Sequence, residues 1–287
     1  MALDTQTFGI TRYWLSVALK LLSSEAGLFA KDKLRDGRKA FLAGDRQLKA
    51  IKSWLVNAGV IEISHGQAEV TEMGRLLAVK DERAEKAWTW WLFHMHLCAN
   101  CNAYPYCTFF RGYDANGGSW LEHAEIVEHL TQSIAREGTS LEPASVESYF
   151  QGVEQSYRPG APLHDLQLIE YRTVDNARRD RLRRCAACPA DIIVAYATLL
   201  FQHAFFPDKT TVEARMFLDK GLSRCLGINE QGFREALGRI HHHHRLSEFV
   251  QYRGVVNLDS VQFMKVGTPA LKEIRSLGYA SEDVRWP

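Results

Sequence analysis

The chain has 287 residues, 46% hydrophobic and 24% charged, with a net charge of +1. That length allows two domains or one elongated body with a real core, and the composition excludes a disordered tail protein. No apolar run is long enough to span a bilayer, and MALDTQTFG lacks the basic and apolar regions of a signal peptide, so a cytoplasmic location without membrane partners is expected.

Periodicity predicts an opening helix from about Thr11 to Phe29 that buries Trp14, Leu15, Ala18, Leu19, Leu22 and Leu28, after a turn at Phe8-Gly9. Residues 31–77 then read as a winged helix-turn-helix. A short basic segment ends at Ala43-Gly44, Asp45 is the expected cap of the next helix, and Leu48, Ile51, Leu55 and Ala58 recur at helical spacing. Arg46, Lys49 and Ser53 are left for the outer side. Gly59 suits the helix end, and Val60-Ile61-Glu62-Ile63 and Gln67-Ala68-Glu69-Val70 flank His65-Gly66 as a small hairpin. Thr71 starts another helix.

Between Ala30 and Lys52, eight basic residues (Lys31, Lys33, Arg35, Arg38, Lys39, Arg46, Lys49 and Lys52) meet three aspartates, a local net of +5. Such a patch favours phosphate contacts with double-stranded DNA. The bland alternative is a protein-docking module with solvated lysines. Glu62 and Glu69 make the wing acidic, so the helix side is expected to lead.

A charged link, VKDERAEK, precedes the aromatic run from Trp88 to Ala99, which must be a helix buried almost all round, a central beam. Asn100 to Phe110 reads as a loop or broken helix, and Asp114 to Gly118 as a breaker. Acidic helices are expected from Trp120 to Ala135 and, after GTSLEP, from Glu142 or Ser145 to Tyr157. Residues 114–156 hold eight acids and only Arg136, a net of −7, whereas 171–188 hold six arginines and two aspartates, a net of +4. Leu166-Ile169 fits a helix or a strand. Pro189 opens a second apolar beam, ADIIVAYATLLFQHAFF. Helices from Glu213 to Leu226 and from Asn229 to His243, then a hairpin at 249–256, repeat the earlier plan and suggest a second, degenerate winged helix at 208–265. The fold class expected is therefore mainly α with small β-hairpins: an N-terminal winged helix-turn-helix domain, 1–113, and a helical C-terminal domain, 114–287.

The six cysteines are expected to be core residues, metal ligands or reactive thiols rather than disulfides. Cys98 and Cys101, with Cys107 nearby, and Cys185 and Cys188 form two CxxC pairs. Four thiolates can hold Zn2+ tetrahedrally or an iron–sulfur cluster, with Cys107 as an alternative ligand; packed core thiols are the plain reading. Either metal site would have to join two remote segments. His241 to His244 read as a polar helix end whose imidazoles meet the last carbonyls, although His241 and His244 could share a metal. Arg178, Arg179, Arg181, Arg183 and Arg184 suit phosphate as a second DNA contact, against a solvated loop or pairing with the acidic helices.

The ordered series Phe8-Gly9 with Arg12-Tyr13-Trp14-Leu15, Leu48 to Trp54 with Gly59-Val60-Ile61-Glu62, Thr71-Glu72-Met73-Gly74, and Trp90-Trp91-Leu92-Phe93-His94 resembles the SspB-type proteins, a domain-of-unknown-function family found with bacterial DNA phosphorothioation genes. The resemblance is specific mainly in residues 8–99, and the two cysteine pairs depart from the family pattern. It implies a part in antiviral defence alongside a cysteine desulfurase, an ATPase and a reductase-like sulfur-transfer enzyme, and strand nicking with Mg2+ or Mn2+. The motifs carry over no catalytic residue. His164, Asp165 and Glu170, close together beside the arginine cluster, are the nuclease candidates, a turn cap and surface acids being the alternative. Two further readings stay open: a non-catalytic adaptor that docks through its acidic helices, and a regulator sensing metal or redox state through four cysteines. A homodimer fits any of them.

Overall fold

Apolar residues at helical spacing build most of this protein, and two predominantly apolar helices, buried along most of their length, serve as its beams. The structure, a computed structural model, describes residues 2–21, 29, 34–65, 67–113, 118–174, 179–255 and 258–281. The chain separates into two units: Met1–Phe109, Leu121–Leu166 and Tyr171–Leu182 form one, and Phe110–Trp120, Gln167–Glu170 and Arg183–Pro287 the other. The end of the expected opening helix, the breaker residues 114–117, and Lys31, Lys33 and Arg178 lie outside the described residues.

In the first unit, α1 (Arg12–Leu21) buries Trp14, Leu15, Ala18 and Leu19, the expected stripe. Next come α2 (Leu34–Phe41) and α3 (Asp45–Asn57), then an antiparallel hairpin of β1 (Ile61–Ser64) and β2 (Gln67–Val70), then α4 (Glu72–Asp81). This is the order read from the sequence for residues 31–77. Gly59 does end α3 in a left-handed conformation, φ 70°. Thr71 caps α4, its hydroxyl accepting the Gly74 amide at 3.0 Å. One detail is corrected: Gly44, not Asp45, is the cap of α3, and the Gln47 side chain reaches back to the Gly44 amide at 2.9 Å. Gly44 adopts the extended cap conformation, so Asp45 begins the first turn, where its charge suits the helix dipole.

The aromatic beam is α5 (Ala87–Ala99), buried everywhere except His96. Its start is set by Asp81, whose carboxylate accepts the amides of Glu85 and Lys86, both at 2.9 Å, and the Thr89 hydroxyl at 2.6 Å. Three donors on one buried carboxylate satisfy it where water cannot. Deeper in, His94 Nδ1 meets the hydroxyls of Tyr106 at 2.7 Å and Tyr157 at 3.0 Å, a buried polar network that fixes the register of α5. The region from Asn100 onward is the broken helix expected, with α6 at Tyr106–Gly112. A two-residue strand, β3 (Leu121–Glu122), leads into α7 (His123–Arg136), and α8 (Pro143–Tyr157) follows.

The arginine-rich stretch is not a loop. It forms β4 (Ile169–Val174) and β5 (Arg179–Arg184) in a sheet of order β3-β5-β4, with Leu121 opposite Leu182 and Glu122 opposite Arg181. The second beam, α9 (Asp191–Phe205), buries eleven residues in an unbroken run from Ile192 to Gln202. After it come β6 (Thr211–Glu213), α10 (Ala214–Asp219), α11 (Leu222–Leu226), α12 (Glu230–His242), β7 (Val250–Val255), β8 (Leu258–Phe263) and α13 (Gly267–Ala280). The span expected as one helix from Glu213 to Leu226 is broken at Gly221, φ 79°, where a Cβ would stand 2.5 Å from the carbonyl oxygen of Arg111. Strand order β6-β8-β7, all antiparallel, makes this a second winged helix with a third strand that the sequence did not suggest.

Candidate nucleic-acid interface

Helix α2 places Arg35, Arg38 and Lys39 in solvent, and the turn at Leu42 and Gly44 delivers Arg46 at the start of α3, also in solvent. Arg38 pairs with Asp45 at 3.4 Å. Arg35, Lys39 and Arg46 have no ion-pair partner among the described residues, and Arg46 gives only one long hydrogen bond, 3.4 Å, to Gln6. A helix-turn-helix presents the start of its second helix to the groove, so these are the positions a duplex would meet.

The other half of α3 tells a different story. Residues 3–10 run along it as a strap: the Asp4 amide donates to Ser53 Oγ at 2.8 Å and the Trp54 indole donates to the Phe8 carbonyl at 2.9 Å. Ser53, expected on the outer side, is therefore buried at 4% exposure, because the strap offers its hydroxyl a partner. Asp4 also holds Lys49 Nζ at 2.6 Å; that hydrogen bond raises the pKa of the ammonium. Thr5 fastens the strap to α8 through the carbonyl oxygens of Ser148 and Tyr149 at 3.2 and 2.9 Å. Lys52 is half-buried. The strap has no periodicity and no charge run, which is why sequence reading passes over it. In the wing, Glu62 and Glu69 lie directly opposite each other, and such a pair repels phosphate as well as itself.

The arginines of β5 meet different fates. Arg181 reaches Glu122 and Arg183 reaches Glu170, at 2.6 and 2.7 Å; Arg183 also covers the Trp120 ring at 4.7 Å. Arg184, expected on the surface, is buried at 3% exposure, donating to the carbonyl oxygens of Leu168, Phe110 and Arg224 at 3.2, 3.4 and 2.7 Å. A guanidinium has donors enough to tie three backbone ends together, so here it is a staple. The backbone of Arg179 lies in β5, and its side chain is outside the described residues.

His164 and Asp165 sit in a short turn of the first unit, their side chains 3.5 Å apart, and Asp165 is engaged by Arg12 at 2.6 Å. Glu170 belongs to the second unit and is held by Arg183. Of the cysteines, Cys98 and Cys107 are buried and Cys101 is exposed in the first unit, while Cys185 is half-buried and Cys188 exposed in the second. Burial, and then the nearby Glu170, push the Cys185 thiol pKa up, the reverse of what a reactive thiolate needs. Cys98 Sγ rests 3.5 Å from His94 Nε2. Among the described residues, no group of three or more His, Cys, Asp or Glu side chains is gathered closely enough to hold a metal ion. The histidine run behaves differently from expectation: α12 stops at His242, and His243 Nδ1 accepts the amides of Arg245 and Leu246, both at 3.2 Å, rather than meeting the last carbonyls. None of the described helices is long and apolar enough to cross a membrane.

Two solved structures share this fold, one described as an SspB crystal structure and one as a magnesium ion-bound SspB crystal structure. Each superposes with a TM-score of 0.75 at 16% identity, covering 96% of this chain and 87% of the other. No curated protein sequence matches the chain. Residues 4–275 match one family throughout, and the chain belongs to it: the family described as protein of unknown function, DUF4007.

Proposed function

We propose that this protein binds double-stranded DNA as a non-catalytic adaptor of a bacterial DNA phosphorothioation defence system, bringing duplex to the sulfur-transfer enzyme that works with the cysteine desulfurase and ATPase. The observation that carries the reading is the solvent-facing basic set Arg35, Arg38, Lys39 and Arg46 on a helix-turn-helix whose second helix is open at its start. The resemblance to SspB-type proteins supplies the pathway. The shared fold with SspB supports it.

Strand nicking is the second reading, favoured by the magnesium ion described in one SspB structure. Against it, Asp165 and Glu170 are each committed to an arginine, and no carboxylate cluster among the described residues fits a catalytic Mg2+ or Mn2+. Arg181 and Arg183 belong to the adaptor reading as secondary contacts, because exchanging a glutamate for a phosphate leaves each with a partner. The test has two parts. Fluorescence anisotropy with a labelled duplex should show affinity that falls steeply with salt, and supercoiled plasmid with Mg2+ should stay closed. Open circles would replace the adaptor with the nickase; salt-independent affinity would remove the basic surface.

A further inference from the structure

The turn between α2 and α3 carries a leucine at a position where folding does not reward one. Leu42 has φ 48°, in the left-handed region, and the turn closes with the Ala43 amide donating to the Arg38 carbonyl at 3.0 Å and the Leu42 amide to the Lys39 carbonyl at 3.4 Å. These two bonds form a helix-ending motif whose left-handed residue is ordinarily glycine, because a Cβ there crowds the backbone. Burial does not offset the strain, since Leu42 is 78% exposed. Five other described non-glycine residues have positive φ: Gln6, Thr7, His65 and Gln167 are polar, and Ala84 is fully buried. Val79 is as exposed as Leu42, but it stands in the regular helix α4, where its backbone is unstrained. Gly44 shows the reverse mismatch. Its φ is −76°, open to any residue, and apart from its chain neighbours an added Cβ would meet nothing nearer than Gln47 Oε1 at 3.9 Å.

The turn thus holds a bulky apolar side chain where glycine suits and bare backbone where a side chain would fit, an arrangement for a surface that another molecule approaches closely. The charges around it say which chemistry that molecule has. Arg38 and Lys39 lie in the last turn of α2 and Arg46 in the first turn of α3, all exposed, and Arg38 spans the turn to hold Asp45 at 3.4 Å. An exposed apolar tip with cations before and after it in the chain matches the major groove of a duplex, which phosphates border and in which the C5-methyl of thymine is the apolar feature of the base edges. We propose that Leu42 seats against a thymine methyl group in the major groove, so that this turn reads base identity while Arg38, Lys39 and Arg46 hold the phosphates beside it. The assignment deepens the DNA-binding reading and rests on it.

The test uses the full chain and a labelled duplex of alternating adenine and thymine, made a second time with deoxyuridine at every thymine position, which removes only the methyl groups. Anisotropy should show the parent chain binding the thymine duplex about fourfold more tightly, the effect of one methyl group taken out of water. Leu42→Ala keeps the backbone strain and loses the side chain, and it should bind the two duplexes equally. Leu42→Gly relieves the strain as well; its denaturation midpoint should be no lower than the parent's, and it too should bind the two equally, so that loss of the preference is not loss of the fold. Any effect of the methyl groups on the shape of the duplex acts on all three chains alike, and the difference between chains therefore reads the contact itself. Equal binding of the two duplexes by the parent, or an undiminished preference in either variant, would overturn the proposal. Binding that ignores the methyl groups but still falls steeply with salt would remove the role of Leu42 and leave the DNA-binding reading standing, whereas no binding to either duplex would remove both.

Discussion

Replacing Arg35, Lys39 and Arg46 together by alanine removes three solvent-facing charges that have no ion-pair partner among the described residues. Because none is buried, the fold should survive, and circular dichroism should be unchanged. Each phosphate contact contributes about −0.9 to the slope of log affinity against log salt. Three lost contacts therefore make the slope shallower by about 2.7, and between about 50 and 200 mM salt the parent should lose about 40-fold more affinity than the variant. Anisotropy with one labelled duplex at five or six salt concentrations measures both slopes. A variant that folds and keeps the parental slope would show that the duplex lies elsewhere, and the helix-turn-helix reading would fail with it.

Four other outcomes can be checked. His123 is held by Glu154 at 2.9 Å, and that hydrogen bond raises its pKa; the pair's stabilisation is complete below the unfolded value of about 6.5 and is lost as pH rises through the folded value. Glu154→Gln should lower the His123 pKa by NMR titration, and an unmoved pKa would deny the coupling. Gly227→Ala places a Cβ at φ 69° and 2.8 to 2.9 Å from Leu168 and Ala187, so it should cost at least about 1–2 kcal/mol in denaturant unfolding from backbone strain alone; a neutral result would contradict the packing. Exposed Cys101 and Cys188, changed singly to alanine, should each alter stability by no more than about 0.5 kcal/mol. A large loss accompanied by loss of protein-bound zinc or iron in elemental analysis would instead establish the four-thiolate site. Trp90→Ala, deleting a fully buried ring that donates to the Ala84 carbonyl, should cost about 3–5 kcal/mol, and a loss below about 1 kcal/mol would mean α5 is not the core.

Helices were readable wherever apolar spacing dominates: Leu48, Ile51, Leu55 and Ala58 locate α3, and the predominantly apolar α5 and α9 could only be beams. Polar residues misled where the fold supplies a private partner. Ser53 looks solvent-facing until the Asp4 amide reaches it, and Arg184 until three carbonyl oxygens do. Short or extended segments carry too few residues for a period, so β6 and the strap left no trace. The grouping of α7 and α8 with the N-terminal unit depends on contacts remote in sequence, which a break at residues 114–118 does not foretell. Of the candidate interface, the exposed basic set was legible from charge alone; the commitment of Lys49 to Asp4 was not.

The strap has a bearing on thermodynamics. With Leu3 and Thr5 both at 0% exposure, and the strap bonded to α3 through Asp4 and Phe8 and to α8 through Thr5, α3 has little freedom left to lose. A surface frozen beforehand meets its target with a small ordering penalty and a heat capacity change set by contact area alone. Amides in the second half of α3 should accordingly be among the slowest in the first unit to exchange with deuterium, whether or not duplex is present.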